Sequence, residues 1–262
     1  MSNVTDALKT SIRDRARAPN YAVQALEAVT LIQQATSPPH LLDSLVHATA
    51  AIGATGSIYT AAIPEDAQDL SCFSLFACHP AIAKAHGSKP LLLGHPWFRF
   101  AQTHTMPGTD HQIRQQHEAD AAAIQLASRY GFKSCLVIPA SIGSPSGRLE
   151  MLCIGSDQAD DFEGPEARAV RALARALAAE LHDWLTRHLT ERLTSAAQLQ
   201  AIDIDLLALE WQGLGTKEIA LRTGMTPSSV DSRFQRLNAR LKCANRKSAA
   251  RRAAAYGLLE CL

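Results

Sequence analysis

The sequence predicts an α+β fold followed by an all-α unit: a three-layer α/β/α domain on an antiparallel sheet, then a helix-turn-helix suited to a DNA groove. Three observations predict this. Strand-like apolar runs occur with helical stretches on either side rather than in strict strand–helix alternation. Near the end of the chain, a glycine stop and a Thr-Pro helix start separate two short helical patterns. Basic residues gather around that second pattern: residues 196–262 hold ten Lys or Arg against six Asp or Glu, and residues 1–195 hold sixteen against nineteen.

Residues 1–20 are polar with scattered charge and read as a loose arm or frayed helix. Tyr21 to Gln34 and His40 to Ile52 have helical periodicity, split by the breaker from Thr36 to Pro39. Ser57 to Ile63 reads as a strand ended by Pro64, with Cys72 to Ala77 as its antiparallel neighbour. Helices are expected over Pro80–His86 and Pro96–Gln102. A longer polar helix is expected over Gln112–Arg129, with Ala121, Ile124 and Leu126 inward. Two strands follow, Cys135–Ala140 and Leu149–Ile154, joined by a hairpin loop over Gly143–Gly147. Phe162 to Leu193 reads as one long helix with Pro165 in its first turn, where proline is tolerated. Its stripe is Val170, Leu173, Leu177, Leu181, Trp184 and Leu185, which can close the domain or supply a dimer seam.

The terminal pattern is the most informative. Thr216 is read as the cap of a short helix over Lys217–Arg222, with Ile219 and Ala220 inward. Gly224 permits the left-handed backbone that ends it. Thr226 then caps a second helix with Pro227 at its first position. Val230, Phe234, Leu237 and Leu241, spaced four, three and four, form one buried stripe. Ser228, Ser229, Ser232, Arg233, Arg236 and Arg240 occupy the other faces, and a further basic helix spans Arg246 to Tyr256. Such a pair suits major-groove insertion, with Ser228, Ser229, Ser232, Arg233, Arg236 and Arg240 as expected DNA contacts, Arg233 and Arg236 foremost for bases or phosphate, and Lys217 and Arg246 on the phosphate backbone. The domain boundaries are set at 1–193, a linker at 194–200, and 201–262.

The bulk numbers narrow the class. A length of 262 residues accommodates two domains, and 47% hydrophobic with 19% charged content excludes a disordered chain. None of the six cysteines forms a C-x-x-C pair, so they read as reduced core residues rather than metal ligands. His86, His95, His104, His111 and His117 lack metal-ligand spacing. The N-terminus carries no signal-peptide pattern, and no apolar run reaches membrane-spanning length. A cytoplasmic, non-membrane protein without metal or cofactor is expected. With no nucleophile elbow, phosphate loop or metal-ligand run, an enzyme is not.

These motifs resemble those of the LuxR-type quorum-sensing transcription regulators. Gly213, Glu218, Ile219 and Ala220 fit the family's first helix run. Thr226, Ser229 and Val230 fit its recognition helix. Arg240, Leu241, Asn245, Arg246 and Ala249 fit its closing segment, and Gly257-Leu258 its ending. Asp203 and Asp205 stand where two Glu are usual, and Arg233 where His is common. At lower specificity, His95–Ala101 and Tyr130–Pro139 resemble segments of the family's autoinducer-binding domain.

The resemblance implies a sensory and dimerisation domain over 1–193, a homodimer, double-stranded DNA as partner, and a small-molecule signal. The family's ligand-holding Trp, Tyr, Asp and Trp fall at Ile82, His86, His95 and Asp110, and a pocket glycine at Cys135, so those identities are changed. Trp97 and Tyr59 are further candidates for ligand contact. A typical acyl-homoserine lactone should therefore bind poorly, since its amide would lose a charge-assisted acceptor. The leading expectation is a dimeric regulator, of solo or orphan type, that senses a non-standard small molecule. Two others remain open: a ligand-independent regulator with a filled pocket, and an interaction protein that heterodimerises with and blocks related regulators.

Overall fold

Five strands form one sheet in the order β2-β1-β5-β4-β3: β1 Gly56–Pro64, β2 Leu70–Ala77, β3 Gly108–Thr109, β4 Ser134–Pro139 and β5 Leu149–Ser156. The structure is a computed structural model and describes residues 11–65, 69–86, 93–113, 116–140 and 147–259. β4 runs antiparallel to both β5 and β3, with Val137 opposite Cys153 and Gly108. The central strands β1, β4 and β5 are buried almost throughout, whereas β2, at the edge, is mostly half-buried. The loop expected over Gly143–Gly147 lies outside the described residues except for Gly147.

The chain divides into two compact units. The first comprises Met1–Ala61, Cys72–Ile142 and Leu149–Trp184; the second comprises Ala62–Ser71, Gly143–Arg148 and Leu185–Leu262.

In the first unit, helix α1 (Ile12–Arg15) is short and anchored. The Ile12 N–H donates to Asp161 Oδ2 at 3.0 Å, and the Ile12 side chain is buried. Helix α2 (Tyr21–Thr30) continues as a 3-10 turn through Gln34. Helix α3 covers Pro38–Ile52, starting two residues before the expected His40. Ser37 caps it, and the prolines read as a breaker occupy its first turn, where no N–H is needed. Helices α4 (Pro80–His86) and α5 (Pro96–Thr103) lie where the periodicity placed them.

Helix α6 covers Glu118–Arg129, six residues shorter at its start than expected, because Gln112 ends a separate 3-10 turn over Asp110–Gln112. Buried Asp120 sets its start by accepting the Gln116 and His117 N–H groups at 2.7 and 3.1 Å and pairing with Arg99 at 2.5 Å. This phase buries Asp120 and Ala127, half-buries Ile124 and Leu126, and leaves Ala121 exposed, contrary to its expected inward position.

The long helix α7 covers Ala167–Ala196 rather than Phe162–Leu193. Pro165 precedes it, in a turn containing Gly164 at φ +81°. All six residues of its expected stripe are buried. Among the described residues, no helix is long and apolar enough to cross a membrane.

In the second unit, α8 (Ala201–Trp211), α9 (Thr216–Thr223), α10 (Pro227–Arg240) and α11 (Arg246–Ala255) share one core. Leu206, Leu207, Ile219, Val230, Phe234 and Leu237 form its centre. Ala249, Ala250 and Ala253 give α11 a small-residue face for close packing. The same unit holds Glu65, which accepts the Tyr256 hydroxyl at 2.6 Å and pairs with Arg252 at 2.7 Å.

Gly155 on β5 faces the Phe132 ring so closely that an added methyl would overlap the ring carbons. Gly155→Ala should therefore destabilise the chain by about 1–3 kcal/mol through overpacking, read as a lowered midpoint in urea unfolding.

Candidate functional site

In the second unit, α9 and α10 are joined by the three residues Gly224–Thr226. Gly224 has φ +67°, a left-handed stop that glycine adopts without Cβ strain. Thr226 Oγ1 accepts the Ser229 N–H at 3.2 Å, and Pro227 is the first helical residue. The cap of α9 is Gly215 rather than the expected Thr216; Glu218 Oε2 accepts the Gly215 N–H at 2.9 Å. Thr216 lies inside the helix, and its hydroxyl accepts from Arg246 Nη1 at 2.8 Å and donates to Asp231 Oδ1 at 3.2 Å.

The arginines expected to face DNA separate into two groups. Arg233 Nε pairs with Asp203 Oδ1 at 2.6 Å, and Arg240 Nη2 with Asp203 Oδ2 at 2.8 Å. Gln200 Oε1 and the Gln198 carbonyl take further donors from the same two guanidinium groups, at 2.8 and 2.9 Å. Arg246 Nε pairs with Glu210 Oε2 at 2.9 Å, and its guanidinium lies over the Phe234 ring. Arg233, Arg240 and Arg246 thus tie helices together. Lys217, Ser228, Ser229, Ser232 and Arg236 are exposed, with Arg236 beside a concavity also lined by Gln200, Arg233, Ala239 and Arg240.

Sequence reasoning noted Asp203 only as a departure from the family pattern and did not single out Glu210; neither pairing with arginine was read. The available signal was three acidic residues, Asp203, Asp205 and Glu210, on the helix that carries Leu206 and Leu207. Burial alone would raise the Asp203 pKa, but the Gln200 N–H, Arg233 and Arg240 outweigh it and hold the carboxyl below its ordinary range. Burial pushes Glu210 upward, opposed by Arg246 and Lys247.

In the first unit, the candidate ligand residues do not all meet. Trp97 is buried on α5, 5.3 Å between ring centroids from Phe132, whose ring lies against Gly56 and Gly155. His95 caps α5; its Nδ1 accepts the Trp97 N–H at 3.3 Å, and the two rings meet edge-to-face at 4.5 Å. Ile82 is fully buried on α4. His86 ends α4, and its side chain lies outside the described residues. Asp110 Oδ1 accepts the Cys135 N–H at 3.0 Å, so this carboxylate caps the start of β4.

Cys135 and Cys153 are both buried, on the paired strands β4 and β5. Burial pushes the Cys153 thiol well up and Cys78 up to about 12. Among the described residues, no group of three or more His, Cys, Asp or Glu could hold a metal ion.

Tyr59 points elsewhere. Strand alternation puts it on the face opposite Gly56, and its hydroxyl donates to Glu150 Oε2. Glu150, completely buried, also meets His182 Nδ1 of α7 at 3.0 Å. Phe73 packs between Tyr59 and Trp184, and the Trp184 indole donates to the Ala35 carbonyl at 2.6 Å. Tyr59 therefore lies in the α7 layer, away from Trp97 and His95. Thr60, its neighbour, is on the Gly56 face and accepts from Ser74 at 3.3 Å.

No family model matches the chain, and no curated protein does. Solved structures do. SdiA in complex with octanoyl-rac-glycerol is 12% identical at a TM-score of 0.67, with 93% of this chain and 98% of that one covered. SdiA from Escherichia coli is 13% identical at a TM-score of 0.64, with 90% and 97% covered. CepR2, an N-acylhomoserine-lactone-dependent LuxR-family transcription factor from Burkholderia cenocepacia, is 14% identical at 0.53, covering 64% of this chain and 98% of that one. The chain has the fold of these proteins.

The Asp203 geometry predicts a pH dependence. Its folded-state pKa lies below the ordinary 3.8, so its stabilisation is present above that value and is lost as pH falls through the folded-state value. Asp203→Ala should cost about 2–3 kcal/mol at neutral pH, under the roughly 3–5 for a fully buried pair because both guanidinium groups are partly exposed. In unfolding titrations, the gap between variant and wild type should narrow below about pH 4.

Proposed function

We propose that this chain, with the fold of LuxR-type receptors, is a dimeric, DNA-binding transcription regulator of solo type that responds to a small molecule other than a typical acyl-homoserine lactone. The observation that carries the DNA reading is α10. It is capped at Thr226, set against α9 by a left-handed glycine, and buried along Val230, Phe234 and Leu237, with its opposite side open. A helix held in this way can enter a major groove. The homodimer rests on the two-fold symmetry such sites require, with recognition helices about 34 Å apart. The α7 stripe does not supply its seam, since those side chains are already buried within the chain.

The reading of the signal rests on two occupied side chains. At the slot where lactone receptors place an acceptor carboxylate, His95 accepts a backbone N–H. At the slot of a carbonyl donor, Asp110 accepts one too. Among the described residues, the polar side chains on the Gly56 face of the sheet include the Thr60 and Ser74 hydroxyls and the Cys72, Cys78, Cys135 and Cys153 thiols. This favours a neutral, largely apolar ligand with few strong hydrogen bonds. The octanoyl-glycerol in an SdiA structure is a ligand of that chemistry on the same fold.

Arg236→Ala should weaken DNA binding and lower the slope of log affinity against log salt by about one; unchanged affinity and slope would refute Arg236 as a contact. Thermal unfolding of protein prepared without additive tests the signal. A ligand at a hundred times its Kd adds about 2.7 kcal/mol, so an acylglycerol should raise Tm and a lactone panel should not. A Tm shift with a lactone would overturn the altered-pocket reading, and a stable protein that shifts with nothing would identify a ligand-independent regulator.

A further inference from the structure

Helix α10 exposes an unusual ridge for a nucleic-acid reader. Val230, Phe234, Leu237 and Leu241 point inward. At 100° per residue, the side opposite them carries Ser228, Ser232, Gln235 and Ala239, flanked by Asp231 and Arg236, and all six are exposed. Arg233 and Arg240 are turned to the flank and bound to Asp203. One cation and one anion therefore border a neutral ridge.

Asp231 is held in place. Buried Glu210 pairs with Arg246 at 2.9 Å, Arg246 donates to the Thr216 hydroxyl at 2.8 Å, and that hydroxyl donates to Asp231 Oδ1 at 3.2 Å. Asp231 itself is exposed. Gln235 follows one turn later, placing an amide that can both donate and accept on the same ridge. An exposed carboxylate on a groove-facing helix is repelled by phosphate unless it accepts a hydrogen bond from a base. In the major groove, cytosine N4 offers that donor, and adenine N6 and N7 offer the donor and acceptor a glutamine matches.

We infer that Asp231 and Gln235 are the base-reading residues of this helix, with Asp231 selecting cytosine and Gln235 adenine at nearby positions of the half-site, and that Arg233 and Arg240 read no bases. Thr216 is a positioning residue for Asp231. The inference rests on the DNA-binding reading above.

The test is selection of duplexes from a randomised library by the full-length protein, followed by affinity measurements on the enriched sequence and its single-base variants. The expected motif contains a cytosine and an adenine. Asp231→Ala should relax the cytosine preference by about tenfold, the scale of one lost base contact, and leave the adenine intact. Gln235→Ala should do the converse, and Thr216→Val should weaken only the cytosine preference. A carboxylate acting only through its charge would instead give an Asp231→Ala protein that binds all sequences more tightly with the same preferences. That result, or an enriched motif unmoved by either alanine variant, would overturn the inference and leave DNA binding standing. Failure of the wild-type protein to enrich any duplex would overturn the DNA-binding reading, and this inference with it. All three positions are outside the core, and unchanged circular dichroism and unfolding midpoints establish that the variants are folded.

Discussion

A carboxylate without solvent must be given its hydrogen bonds by the fold, and in the second unit that carboxylate is Asp203. It has no exposure, so its two oxygens hold Arg233 and Arg240 together with the Gln200 N–H. One acidic residue near the start of α8 thus fixes the rotation of α10 about its axis. It also pairs two positive charges that the surface would otherwise carry alone. Glu210 does the same to Arg246 at the other end of α8. The modest basic excess of this region is smaller still where it faces outward.

The first unit uses the same device at element starts. Asp161 takes the Ile12 N–H, Asp120 takes two N–H groups ahead of α6, and Asp110 takes the N–H of Cys135, the second residue of β4. Each satisfies donors that secondary structure leaves unpaired while joining segments far apart in sequence. Glu150 is the exception, because its partners are side chains: the Tyr59 hydroxyl on a nearby strand and the His182 imidazole on α7. It places a polar network inside a largely apolar layer.

How much of this was legible follows from the range of each interaction. The stripes of α7 and α10 and the caps at Gly224 and Thr226 are local patterns, and all could be read directly. The starts of α3, α6 and α7 could not. Pro38 and Pro39 are breakers in an interior but are accepted in a first turn, and α6 begins where Asp120 meets Arg99 on α5. Strand alternation puts Tyr59 and Thr60 on opposite faces, but which of them faces α7 is decided by Glu150 and Phe73, partners distant in sequence. The basic face of α10 was read as free because its counter-charge sits about thirty residues upstream, at a distance only the folded chain closes. The changed identities at His95 and Asp110 were visible from the resemblance, but their work as backbone caps was not.

The protonated thiols on the Gly56 face have a practical consequence. Cys153 is fully enclosed and Cys78 is held well above its ordinary pKa, so neither offers a thiolate to an alkylating reagent while this layer is closed. Labelling of Cys153 must wait for an opening of the sheet, which makes its modification rate an internal clock of local unfolding. Any molecule that occupies and tightens this layer would slow that clock without having to change the shape of the protein.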